Sequence, residues 1–110
     1  MVRSMMSQDL MQLVAERFKV LSEPARLEIL NALRNGEMTV SELVDTTGFG
    51  QANLSKHLQL LLAHGFVLRR KDGLFAYYSL ADRDVFKLCD LMCGRLASDV
   101  AARRKVVVAR

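Results

Sequence analysis

The stretch TVSELVDTTG-FG-QANLSKHLQLLLAHG spans residues 39–65 and decides the fold. Thr39-Val40-Ser41-Glu42 fits a capping box, in which the Thr and Glu side chains each satisfy an orphan backbone N–H of the other residue. The spacing predicts a short helix with Val40, Leu43 and Val44 inward, stopped near Thr47-Gly48. After Gly50 a second helix begins, with Leu54, Leu58, Leu61 and Leu62 inward and Gly65 as its stop. A short capped helix, a glycine-containing turn and a longer helix are the layout of a helix-turn-helix.

Upstream, Leu10, Leu13, Val14 and Phe18 recur at helical spacing and predict an amphipathic helix over 8–19. Ser22 reads as the N-cap of the next helix, with Glu23 and Pro24 in its first turn. Leu27, Ile29, Leu30 and Leu33 line that helix, and Asn35-Gly36 ends it. Downstream the period changes to that of strands. Residues 66–71 and 74–80 flank Asp72-Gly73, a strong signal for a two-residue hairpin turn. Asp82 reads as the cap of a last helix whose apolar stripe is Val85, Phe86, Leu88, Cys89, Met92, Cys93 and Leu96. The expected fold is mainly α with a small β-hairpin: a winged helix-turn-helix in a single domain over 1–110, with 1–7 and 104–110 as tails.

Composition sets the outer bounds. The chain has 110 residues, 51% hydrophobic and 25% charged, which suits one globular domain and excludes a large multi-domain enzyme. No apolar run approaches the roughly 20 residues needed to cross a bilayer, and the N-terminus lacks a basic segment leading into an apolar block. Two cysteines are too few for a disulfide scaffold, so a cytoplasmic protein is expected.

Charge is unevenly spread within a net +4. Residues 1–45 carry five basic and seven acidic side chains, and residues 72–110 carry seven basic and five acidic ones. From Thr46 to Lys71 there are four basic residues and no acid at all. Such a segment suits a surface that meets an anion.

The second helix of the motif presents Gln51, Asn53, Ser55, Lys56 and Gln59 outward. Amides of Gln and Asn can pair with adenine edges in a DNA major groove, while Lys and Ser reach guanine edges or phosphates. The polar residues gather in the N-terminal half of the helix, the half from which such helices read bases. Arg69-Arg70-Lys71 runs up to the hairpin turn, where cations would grip phosphate. Their alternative role is to discourage strand pairing between molecules. Together these features favour double-stranded DNA as partner over an acidic protein surface.

Leu21-Ser22-Glu23-Pro24-Ala25-Arg26-Leu27, Val40-Ser41-Glu42-Leu43, residues 51–58 and residues 73–80, in this order, resemble the ArsR/SmtB family of winged-helix repressors over about 8–96. The resemblance implies a homodimer built on the first and last helices. It also implies binding to a near-palindromic operator and release by an inducer.

The family's metal sites do not carry over. Thr39 and Ser41 stand where one Cys-x-Cys pair would be, and Asp82-Arg83-Asp84, Arg95 and Ser98 stand where another ligand set would be. His57 and His64 lie about 10 Å apart along one helix, too far for a single zinc ion with bonds of about 2.0–2.1 Å. His57 either contacts DNA or caps a leucine cluster, and His64 suits the negative end of the helix. Cys89 and Cys93, at i and i+4, would sense a soft metal, arsenite, an oxidant or reactive sulfur, or else simply pack as small apolar groups. With no Cys-x-x-Cys and no nearby His or Lys evident to activate a thiol, no enzyme activity is expected.

Overall fold

The computed structural model describes residues 7–108. Over these residues the order is α1 (Gln8–Leu21), α2 (Pro24–Ala32), a 3-10 turn (Leu33–Asn35), β1 (Met38–Thr39), α3 (Val40–Thr47), α4 (Gln51–Ala63), β2 (Val67–Asp72), β3 (Phe75–Leu80) and α5 (Asp84–Val108). Residue 7 caps α1, its Ser7 hydroxyl accepting the Leu10 N–H at 3.1 Å. Residues 1–6 and 109–110 of the expected tails lie outside the described residues, whereas the backbone of 104–108 is a continuation of α5.

The capping box forms as the sequence requires. The Glu42 N–H donates to Thr39 Oγ1 at 3.2 Å and the Thr39 N–H donates to Glu42 Oε1 at 2.9 Å. Gly48, at φ 78°, closes α3 in the left-handed conformation, which glycine adopts without a Cβ penalty. Extended Gly50 then starts α4.

The cap expected at Ser22 is corrected. Ser22 finishes α1: its backbone N–H and its hydroxyl both donate to Lys19 O, at 3.1 and 2.6 Å. The junction is so short that Ser22 is still helical (φ −78°, ψ −6°), and Glu23 takes the capping position ahead of Pro24 without a side-chain bond.

The hairpin also moves by one residue. Asp72 pairs with Phe75, so Gly73 and Leu74 are the turn. Gly73 sits at φ 63° in the first central position, the arrangement of a II′ turn. On its other side β3 pairs with β1, whose two residues are too short to show any alternation in the sequence.

Ile29, Leu30, Leu33, Leu43, Leu54, Leu58, Leu61 and Val67 are almost wholly buried and join α2, α3, α4 and the sheet in one core. Each such side chain contributes about 1.5–3 kcal/mol through burial. Leu62, expected inward, is exposed, because it stands about 100° around the helix from its neighbour Leu61. The stripes of α1 and α5 are likewise not consumed by this core: Leu13, Phe18, Met92 and Leu96 are all more than half exposed.

Candidate nucleic-acid interface

Burial of Leu54, Leu58 and Leu61 fixes which way α4 faces. Gln51, Asn53, Lys56 and Gln59 are exposed, and Ser55 is half-buried. Helical periodicity sets Lys56 and Gln59 opposite the buried stripe, with Asn53 and Ser55 on the two flanks. Ala52 shares that outward face at i, i+4, i+7 with Lys56 and Gln59. The sequence reading passed over it, although the spacing would have found it, and a methyl group there suits the methyl of thymine. No acid stands in the first turn of α4, and Gly50 supplies no side-chain cap. The positive end of the helix is left to an outside acceptor.

His57 has a different attachment. Its Nδ1 accepts the Arg26 Nε–H at 3.2 Å, and Arg26 also donates through Nη1 to Val20 O at 3.2 Å. The ring therefore clasps α4 to the junction of α1 and α2. At the far end of α4, the Arg17 guanidinium donates to His64 O and lies 4.0 Å over the Phe66 ring. His64 Nδ1 is 3.0 Å from Leu60 O. The two histidines thus have separate structural partners.

The wing cations divide into two faces, because successive strand residues point opposite ways. Arg69 and Lys71 share the side of buried Val67, while Arg70 points to the other side. There Arg70 donates to Glu37 through Nη2 at 2.6 Å and Nε at 3.3 Å, stands 3.6 Å from Asp72, and lies 4.6 Å over the Tyr77 ring. The hydrogen bond from Arg70 holds the Glu37 carboxyl below the usual glutamate range, and the same bond raises Arg70. The three cations are therefore not equivalent, which the charge pattern of residues 46–71 did not show. Glu37 comes from outside that segment.

Cys89 is half-buried, Cys93 is exposed, and both thiols are free. Burial pushes the Cys89 thiol up, with Cys93 and Asp90 adding to the effect and Arg34 opposing it. Among the described residues, no three His, Cys, Asp or Glu side chains gather as a metal cluster. Thr39 is occupied by its cap, and Asp84 pairs with Lys87 at 3.3 Å.

Along α1 and α5 runs an uncovered apolar surface that includes Leu13, Phe18, Leu91, Met92 and Leu96. A groove of about 270 Å³ lies between the two helices, lined in part by Val14, Phe18, Phe66 and Leu88. No helix among the described residues is long and apolar enough to cross a membrane.

A capped helix and glycine turn that set an exposed, acid-free helix beside a three-stranded wing define a winged helix-turn-helix. Comparison with known proteins agrees. Residues 23–68 match the bacterial regulatory protein, arsR family. A probable mercury resistance operon repressor from Streptomyces lividans is 38% identical over 88 residues, covering 80% of this chain and 70% of the relative. The crystal structure of Rv0081 from Mycobacterium tuberculosis superposes with TM-score 0.78 at 37% identity, over 88% of this chain and 98% of that one. The solution structure of Mb0332 from Mycobacterium bovis, a homodimeric winged helix-turn-helix DNA-binding domain, gives TM-score 0.70 at 32% identity, over 88% and 91%. The chain belongs to the ArsR family.

Proposed function

We propose that this chain is a sequence-specific repressor that lays α4 in the major groove of double-stranded DNA while the wing grips the neighbouring backbone. The observation that carries this reading is the exposed face of α4, polar and free of acids. Gln51, Asn53 and Gln59 read base edges, Ser55 and Lys56 meet bases or phosphate, and Arg69 and Lys71 meet phosphate. His57 acts on DNA only through the placement of α4. Two copies join through the apolar faces of α1 and α5 and set two α4 helices on a near-palindromic operator, as helix-turn-helix dimers do at about 34–36 Å spacing. The protein would work in the bacterial cytoplasm, at the nucleoid.

Release is proposed to act at Cys89 and Cys93. Two sulfur donors one helical turn apart suit a soft ion or arsenite, and the name of the Streptomyces relative ties that protein to mercury resistance. A soft ion would bridge the thiolates, and an oxidant or reactive sulfur would join them. Any third donor has to come from outside the pair.

A mobility-shift assay on the DNA upstream of the chain's own gene tests the reading. Lys56→Ala should weaken binding to any duplex and reduce the log–log salt slope by about 0.9. Asn53→Ala should cost roughly 1–3 kcal/mol on the operator and much less on random sequence. Equal losses on both duplexes would remove Asn53 from base reading. Affinity indifferent to salt would point instead to a protein-interaction module. The double substitution Cys89→Ser, Cys93→Ser should keep DNA binding but lose release by arsenite, mercuric ion, an oxidant or a polysulfide. If release persists, these cysteines only pack.

A further inference from the structure

We propose that Glu37 is an intramolecular rival of DNA phosphate for Arg70, and so limits the sequence-independent affinity that the wing supplies. The proposal rests on the DNA-binding reading above and adds a residue that sets its specificity. Two parallel donors of one guanidinium, Nε and Nη2, meet the two oxygens of the Glu37 carboxylate at 3.3 and 2.6 Å. An arginine presents that same fork to a phosphate group. The remaining edge faces Asp72 at 3.6 Å, and the flat face covers Tyr77. One cation with two carboxylates leaves this side of the wing net negative. On the opposite face, no carboxylate among the described residues lies within ion-pair distance of Arg69 or Lys71.

The arrangement is built by topology. Strand order β1-β3-β2 brings the chain just before β1 to the side of β2, with Tyr77 between Thr39 and Arg70 in the ladder. The pair is also accessible: the Arg70 and Glu37 side chains are 52% and 41% exposed. Exposed pairs are weak and screened by salt, so one acceptor can replace another. When phosphate takes the Arg70 fork, however, the released Glu37 carboxylate faces a polyanion. The exchange therefore gives less than a free arginine would on arbitrary DNA. It is worthwhile only where α4 is fully seated and presses the wing to the backbone. A regulator must reject a vast excess of competing sites, and Glu37 serves that end.

The test measures binding by fluorescence anisotropy across a salt series, using a random-sequence duplex and the upstream fragment. The chains compared are the natural one, Glu37→Gln, Arg70→Ala and the double variant, each first shown to be folded by circular dichroism. Glu37→Gln should tighten binding to the random duplex several-fold, steepen its salt slope by about 0.9, the value of one further phosphate contact, and narrow the preference for the upstream fragment. In the Arg70→Ala background the same change should have little effect. Unchanged or weaker binding by Glu37→Gln overturns the proposal, and so does an effect that survives intact without Arg70. If the natural chain binds neither duplex, the repressor reading fails as well. If it binds both and only the Glu37 effect is missing, that reading stands.

Discussion

At position 70 a guanidinium stands over a tyrosine ring with a carboxylate on either side, and its chemistry follows from those neighbours more than from its own charge. Glu37 titrates below the ordinary glutamate range because the ionised form keeps the Arg70 bond. The stabilising effect is thus present above the unfolded-state value and is lost as pH falls through the lowered folded one. Carboxyl-carbon NMR should show that midpoint shift up to the ordinary range in Arg70→Ala. A midpoint unmoved by the substitution would mean that the bond is not formed in solution. The cationic run was legible in the sequence, but its partner was not. Glu37 lies 33 residues away along the chain, and nothing short of the strand order brings it near. Leu58, by contrast, was plain from helical spacing and is fully buried. Leu58→Ala should cost about 2–5 kcal/mol in denaturant unfolding.

Among the elements, α3 and α4 were the clearest in advance, because a capping box marks the start of α3 and leucine spacing marks α4 up to Leu61. Thr39→Ala should remove about 1 kcal/mol of stability by withdrawing one half of the reciprocal cap, measurable as a lower urea midpoint with an unchanged slope. The hairpin was legible as a hairpin but not in register: an Asp-Gly pair predicts glycine in the second turn position, whereas here Gly73 occupies the first. The short strand β1 left no signal because two residues have no period. In α5 the helix was evident, while the state of its thiols is a matter of surroundings. Cys89, held protonated mainly by burial, should react with iodoacetamide at a rate that keeps climbing beyond the usual thiol titration range. A rate that levels off below that range would contradict the burial effect.

For the molecule as a whole, the apolar stripes of α1 and α5 were visible at once, but periodicity alone cannot say whether such a stripe faces its own core or another chain. The core takes in only Phe86 and the neighbouring Val85 from the α5 stripe, leaving Leu91 75% exposed and Met92 58% exposed. Sedimentation should give a dimer, and Leu91→Glu with Met92→Glu should give a folded monomer that binds the upstream fragment far more weakly. Dimers that survive both substitutions would place the contact elsewhere.

Arg17 and Arg26 bear on how such a dimer would let go of its operator. One arginine anchors the end of α4 and the other its flank, both reaching from the first two helices. The proposed reading helix is thus tied at two points to the helices that carry the proposed dimer face. A signal that alters the angle between two copies would swing both reading heads as levers and spoil their spacing, with no need for either head to melt.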